Sequence, residues 1–484
     1  MMTQPNSHRR AARSRANGRF RTVSGLLGLI LAWPVALAQA PNDPRDQAAE
    51  ATPADSTPGP APASAPALEI DTDDFQAADR QPTTRFEAQI EFDRLVAEGQ
   101  FSEAVEIGKT MLELTLAEFG DESDEAAAAH NALAEAQRQA GLYDDAEVNY
   151  LRSIEIYRAQ DGAFAPAMIA PTIGLGDNYH DDDQHLNAVS AYNEARSLQR
   201  RAYGLLSEDQ IVVMDRITRS FVAMQMGVEA NEQQVAALAL IERNHPLGSV
   251  EALEGIYKYA RWLRGTGRYF DERAQYERAI RIIRSQHGKD HPLLVTPYRE
   301  IGNSFRDQAF EDPRGVSALN TALEILQLNS PTDPLVLAET LRDVADWKTA
   351  FSPIGAGHED YLRAWGLLGG IEGGEALRES WFGGRQPKFV LYERLSARDL
   401  SYDLLDPDAV DGHVLLQFDL DVQGRPENVV IVESDPVGFK DEAAVRSIRQ
   451  SRFRPHIQDG EFVPVSGLAI RISFRYVPSD GDGS

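Results

Sequence analysis

Apolar positions recur at helical spacing along most of this chain, and from about residue 85 to 368 the helical pattern itself repeats every 42 residues. Stepping by 42 from Ala134 reaches Gly176, Thr218, Ala260 and Gly302, all small. One residue earlier stand Leu133, Leu175, Ile217, Tyr259 and Ile301, and three residues later Gln137, Tyr179, Phe221, Leu263 and Phe305. A later column holds Tyr150, Tyr192, Gln234 and Tyr276, followed at three residues by Ser153, Ala195, Ala237 and Ala279. Gly99, Gly141 and Gly267 share a turn phase, and Pro166, Pro292 and Pro334 share another, where helices open. The pattern predicts two antiparallel helices per repeat. Small residues let the two approach closely, and aromatics fill the space between neighbouring repeats. Six or seven repeats fit this span. Gln225 with Gly227, and Ala309 with Glu311, replace the turn glycine and its following aromatic. The phase slips by about one residue near Ala322, and 334–368 carries a faint last pair.

After Gly369-Gly370 and Gly373-Gly374 the period changes to two. Val414, Leu416, Phe418, Leu420 and Val422 alternate with Gln417, Asp419 and Asp421, the signature of a half-buried strand. Gln423-Gly424-Arg425 reads as a turn and Asn428 to Val432 as the returning strand. Residues 440–450 read as a short helix with Ala444 and Ile448 on one face, and Leu468, Ile470, Ile472, Phe474 and Tyr476 alternate as a final strand. The predicted organisation is therefore an all-α superhelical solenoid over 85–368, a Gly-rich, hinge-like junction over 369–387, and a small α+β unit (β-β-α-β) over 388–478, with a tail at 479–484.

The N-terminus has a different grammar. An Arg-rich stretch ending at Arg21, an apolar run from Leu26 to Leu37 and the small-residue close Ala36-Leu37-Ala38 have the layout of a secretory signal peptide, 1–38, with cleavage expected after Ala38. An uncleaved anchor is the alternative, but the apolar run is shorter than the roughly 20 residues a spanning helix needs and Pro34 interrupts it. Residues 39–84, rich in Pro, Ala, Asp and Ser, read as an extended linker too polar to order itself. The formal charge is −27, or −33 once the six arginines of the first 38 residues are set aside. That balance argues against nucleic acid or an anionic membrane as partner. The absence of cysteine excludes disulfides and thiolate metal sites.

Catalytic chemistry finds little support. The His-rich run Asn178-Tyr179-His180-Asp181-Asp182-Asp183-Gln184-His185 falls at a predicted turn, where polar side chains are expected. Gly174-Leu175-Gly176 lacks the strand and later acid of a dinucleotide loop, and no His-Glu-x-x-His, Gly-x-Ser-x-Gly or phosphate-binding Gly-Lys-Ser/Thr sequence occurs. His358-Glu359-Asp360 reads as the opening of the last helix. No catalytic, cofactor-binding or metal-ligating residue is assigned.

Two resemblances sharpen this reading. The small-then-aromatic pattern, the Gly turn and the following Tyr and Ala, best seen from Leu133 to Ala146 and from Trp262 to Tyr269, resemble the tetratricopeptide repeat. The 42-residue period and the Gly288-Lys289-Asp290-His291-Pro292 lead-in resemble its kinesin-light-chain variety. At the C-terminus, Gly412-His413-Val414, the Asp419 to Arg425 turn, Val430 to Ser434, Asp441-Glu442-Ala443-Ala444, Phe453-Arg454-Pro455 and Gly460 to Val465 resemble the C-terminal domain of the TonB energy-transducer family. The resemblance implies capture of extended peptides, such as outer-membrane receptor segments, alongside a sheet edge. It points to the final strand, with Ala469, Arg471, Ser473 and Arg475 facing outward and the arginines attracting acidic peptides. Departures from the family are the lack of His in residues 22–38 and Tyr392 being followed by Glu393 rather than Pro. Together these readings lead us to expect an exported, periplasmic, non-enzymatic interaction protein with protein or peptide partners, associated with outer-membrane transport. The alternative is a transducer anchored in the inner membrane, which touches the membrane only if the N-terminal segment stays uncleaved.

Overall fold

A computed structural model describes residues 82–393, residue 395 and residues 409–477. The expected signal segment, nearly all of the linker and the tail lie outside the described residues. Seven helix pairs run in order: α1 (Arg85–Ala97) with α2 (Phe101–Phe119), α3 (Asp124–Gln139) with α4 (Tyr143–Asp161), α5 (Ile169–Asp181) with α6 (His185–Ala202), α7 (Gln210–Ala223) with α8 (Gly227–Asn244), α9 (Leu253–Gly265) with α10 (Tyr269–His287), α11 (Val295–Asp307) with α12 (Pro313–Leu328), and α13 (Pro334–Phe351) with α14 (His358–Leu368). Each helix packs on its neighbours in sequence, so the array is a solenoid. Single 3-10 turns at Pro166–Met168 and Pro292–Leu294 introduce α5 and α11, and Pro334 is the first residue of α13.

The turn between the two helices of a pair shows why the repeat survives its lost glycines. Gly99, Gly141, Asp183, Gln225, Gly267 and Ala309 stand 42 residues apart, and all six have positive φ, between 55° and 76°. Each closes a helix through a left-handed residue whose neighbours return hydrogen bonds to the last turn, as Gly141 N–H does to Arg138 O and Leu142 N–H to Gln137 O. Packing imposes the turn even where glycine no longer favours it. The small-residue column is buried throughout: Ala134, Thr218 and Ala260 face their partner helices. A Cβ on Gly176 would lie 2.5 Å from Tyr192 Cε1, and one on Gly302 2.4 Å from Leu319 Cγ. Both distances are too short for any side chain.

The junction is not the hinge expected from its glycines. Gly374–Phe382 forms a fifteenth helix, α15, opened by Gly373 at φ 72°, and Trp381 and Phe382 are buried against α13 and α14. Glycine composition hid two aromatic anchors. Beyond it, β1 (Phe389–Leu391) pairs with β4 (Arg452–Phe453), and β2 (Val410–Leu420), β3 (Pro426–Asp435) and β7 (Val465–Tyr476) form an antiparallel sheet in the order β3-β2-β7. Helix α16 (Asp441–Gln450) lies on one face, with Ala444 and Ile448 against Val414, Leu416, Phe418 and Leu420. A small hairpin of β5 (His456–Gln458) and β6 (Glu461–Val463) was not foreseen as separate strands. The expected strand also stops earlier: Asp421 Oδ1 accepts from Gln423 N–H and Arg425 N–H at 2.9 Å each, forming the turn and leaving Val422 exposed.

Candidate peptide-binding edge and its seat on the solenoid

The last helix pair and the C-terminal domain are joined through a charge built into the repeat. In α3 Glu135 accepts a hydrogen bond from Tyr150 of α4 at 2.7 Å, and 42 residues later Asp177 accepts from Tyr192 at the same distance. The same device recurs, one residue out of phase, at Asp346 and Tyr361 (2.8 Å). The earlier carboxylates are balanced from within the array, Glu135 by Arg138 and Asp177 by Arg216 and Arg219. Asp346 is also reached by Arg306, at 3.0 Å, but its bidentate partner comes from the C-terminal domain. Arg454 Nε and Nη2 donate to its two oxygens at 2.9 and 2.7 Å, and Arg454 Nη1 donates to Trp381 O at 3.1 Å.

Burial alone would push the Asp346 carboxyl up, but the Arg454 and Arg306 guanidiniums outweigh it and hold it below the usual carboxylate range. Neighbouring Asp343 is held low in the same way, burial being outweighed by Arg299, Arg342 and Arg306. Apolar contacts surround the charges. Ile457 is buried among Leu341, Tyr361, Leu368 and Phe382, and the Phe462 ring stacks on His358 with centroids 4.0 Å apart. The Phe453-Arg454-Pro455 run thus faces two ways: Phe453 packs into its own domain against Phe389 and Phe418, while Arg454 reaches into the solenoid. Sequence reasoning took this run as part of the C-terminal resemblance and gave Arg454 no partner in the solenoid.

Seated this way, the sheet has two edges that are unpaired among the described residues. From Val410↔Tyr476 to Phe418↔Leu468 the β2–β7 ladder runs without a register shift, and the first irregularity comes between Phe418 and Leu420, where Gly467 N–H donates to Asp419 Oδ1 at 2.9 Å. The β3 edge is broken by shifts at Leu415/Leu416 and Gln417/Asp419, and Asn428 adopts φ 53°. It carries exposed Val430 and Val432, which sequence reasoning did not single out.

The structure places Ala469, Arg471 and Ser473 on the exposed face of β7, opposite its buried Leu468, Ile472 and Phe474, with Arg475 half-buried on the same side. It does not leave the two arginines free. Arg471 Nη2 lies 3.2 Å from His413 Nε2 and 4.0 Å from Glu433, which itself lies 3.0 Å from that nitrogen. Arg475 donates to Ala409 O at 2.6 Å and stands 3.7 Å from Asp411. The expected acidic-peptide rim is therefore largely satisfied internally, so an incoming strand would gain mainly backbone hydrogen bonds.

The His-rich turn brings His180 and His185 together, ring centroids 4.9 Å apart, while its other side chains go to separate partners. Asn178 donates to Tyr143 O, Tyr179 to Glu147, and His180 Nδ1 lies 2.9 Å from Ser220 Oγ. Among the described residues no group of three or more His, Cys, Asp or Glu could hold a metal, and no helix is long and apolar enough to cross a membrane.

Comparison with solved structures finds repeat proteins at low similarity. A putative kinesin light chain with nearly identical TPR-like repeats from Podosopora anserina is 18% identical, covering 42% of this chain and 96% of that one, with a TM-score of 0.35. The C-terminal part of a TPR repeat-containing protein from Cytophaga hutchinsonii is 11% identical over 58% of this chain and 94% of its own, TM-score 0.34. The apo form of RapI is 11% identical over 58% and 97%, TM-score 0.33. No curated protein matches the sequence. The solenoid assignment rests on this chain's own seven helix pairs, and residues 408–476, from the start of β2 to the end of β7, match the family model of the Gram-negative bacterial TonB protein C-terminal domain.

Proposed function

We propose that this chain is an exported, periplasmic adaptor, without catalytic activity, in which the solenoid presents a TonB-like domain whose β7 edge takes up an extended segment of a partner protein at the outer membrane. The observation that carries this reading is the regular, unpaired β7 edge from Leu468 to Tyr476, on a domain locked to the last repeat by Arg454. An open edge offers N–H and C=O groups to an incoming strand, and its regular register makes it a better template than the bulged β3 edge. Export is supported by the charged, apolar and small-residue sequence that ends at Ala38.

The test has two arms. N-terminal sequencing of protein recovered from its own cells should give Gln39 in the soluble periplasmic fraction. Full-length protein in the inner membrane would instead favour an anchored energy transducer. A photo-crosslinking residue at Ala469 should then trap a cell-envelope protein through an extended segment, and the same residue at exposed Glu324 on α12 should not. Equal trapping at both positions would remove the edge from the account.

A further inference from the structure

We infer that the solenoid carries a second binding site, for an acidic segment of a partner protein with bulky apolar side chains between its carboxylates, in a cleft between α6 and α8. The cleft has a volume of about 300 Å³, enough for one or two apolar side chains. Leu205, Leu206, Met214 and Leu240 line its apolar part, and Arg196, Arg200 and Arg243 its polar part. Leu205 and Leu206, in the loop between α6 and α7, are 65% and 45% exposed.

The three arginines set this cleft apart in a chain of net charge −27. None forms an ion pair among the described residues, although the carboxylates nearby are taken: Glu194 by Arg158, Glu242 by Arg278, and Glu208 by Asn244 and His245. Arg196 is also held in place before any ligand arrives. Its Nη1 donates to Gln233 Oε1 at 3.1 Å and its Nη2 to Asn193 Oδ1 at 2.8 Å. Repulsion from neighbouring Arg200 adds to the cost of burying this half-buried guanidinium.

The repeat supplies an independent argument. Stepping by 42, the column of Arg196 reads Leu112, Ile154, Leu238 and Ile280, apolar in every other case. The column of Gln210 reads Met168, Ala252 and Leu294, all buried, but this glutamine serves the fold itself: its amide donates to Leu205 O and Ser207 O at 3.1 and 3.0 Å and shapes the loop that lines the cleft. At Arg196 a packing position has been given up to a charge in a cleft where arginines without an ion pair among the described residues converge. An apolar residue there would pack as its repeat counterparts do, without the cost of half-burying a guanidinium. A ligand that supplies carboxylates to Arg196, Arg200 and Arg243 and an apolar side chain to Leu205 and Met214 accounts for the departure. Because α6 and α8 belong to the third and fourth helix pairs while the C-terminal domain sits on the seventh, this site is distinct from the β7 edge and does not depend on it.

The probe is a fluorescein-labelled nonapeptide of alternating Asp and Leu, with an Asn-Leu peptide of equal length as its neutral control, titrated against the full chain by fluorescence anisotropy. The Asp-Leu peptide should bind at least tenfold more tightly than the control and lose affinity as salt rises. Arg196→Leu, which restores the repeat's own residue, should weaken it at least tenfold while the thermal transition stays or rises. The exposed pair Arg200→Glu/Arg243→Glu should do the same without touching the packing. Equal affinity for the neutral peptide overturns the proposal, as does binding that survives both variants. The latter would move the peptide elsewhere and leave the β7 reading intact. Arginine-dependent binding to phosphatidylglycerol vesicles without peptide binding would equally overturn it, in favour of a lipid surface.

Discussion

The early repeats and the last one use the same internal hydrogen bond for different ends. In α3/α4 and α5/α6 the tyrosine-bound carboxylates, Glu135 and Asp177, are neutralised by arginines of the array itself, Arg138 of the same helix and Arg216 and Arg219 of α7 in the next pair. In α13/α14 the equivalent Asp346 takes its bidentate arginine from a domain more than a hundred residues further along the chain. A solenoid needs a cap for its terminal repeat, because the outer face of the last pair has no successor to pack on. Here the cap is the C-terminal domain, and the repeat's own polar device has become its attachment point. The difference teaches that one repeated local geometry can serve packing in the middle of an array and docking at its end, depending on which chain segment supplies the counter-charge.

Breaking the charged seat should have the largest effect. Arg454→Met leaves Asp346 buried with Arg306 alone, and removing one partner of a buried pair costs about 3–5 kcal/mol. Denaturant unfolding should show the C-terminal domain separating before the array. Arg138→Met, its counterpart beside the more exposed Glu135, should cost under about 1 kcal/mol. Equal losses would erase the distinction between docking and packing. Packing inside the array is tested by Gly302→Leu, which forces a side chain onto Leu319 Cγ. A thermal scan should report an overpacking loss of roughly 1–3 kcal/mol or more.

Acidification probes the seat without mutation. Asp343 and Asp346 have depressed carboxyl groups in the folded chain. Their contribution is therefore complete above the ordinary carboxylate value of about 4 and is lost as pH falls through the folded values. Stability should decline with acid in the parent, and Asp346→Asn should flatten that decline while lowering stability at neutral pH. An unchanged slope would mean Asp346 is not held low. The smallest effect belongs to the turns: Ala309→Gly relieves a left-handed alanine at φ 55° and should stabilise by about 0.5–1 kcal/mol. A loss would show that the helix ends, not the turn residue, set the geometry.

These contrasts also explain what could be read from the residues alone. The solenoid was legible because Ala134, Gly176, Thr218, Ala260 and Gly302 repeat a steric requirement at fixed spacing, and β2 and β7 were legible because alternation marks a half-buried sheet. Helix α15 was not, since four glycines suggested a hinge while Trp381 and Phe382, which decide the matter, have no periodic partners. Arg454 escaped for a related reason: its role depends on a carboxylate more than a hundred positions away. The availability of Arg471 and Arg475 was misjudged because Glu433, His413 and Asp411 reach them across strands. In the cleft of Arg196, by contrast, the signal was present all along as a break in an apolar column.

The central claim is that the C-terminal domain is held on the last repeat as a fixed extension of the solenoid, with its β7 edge outward. The chain has no cysteine, so two can be introduced at exposed positions, Glu324→Cys on α12 and Ser466→Cys at the start of β7, and spin-labelled without background. Pulsed electron-electron resonance on the full chain should give one narrow distance distribution, broadened by Arg454→Met. A broad distribution in the parent chain, unchanged by that substitution, would contradict the account.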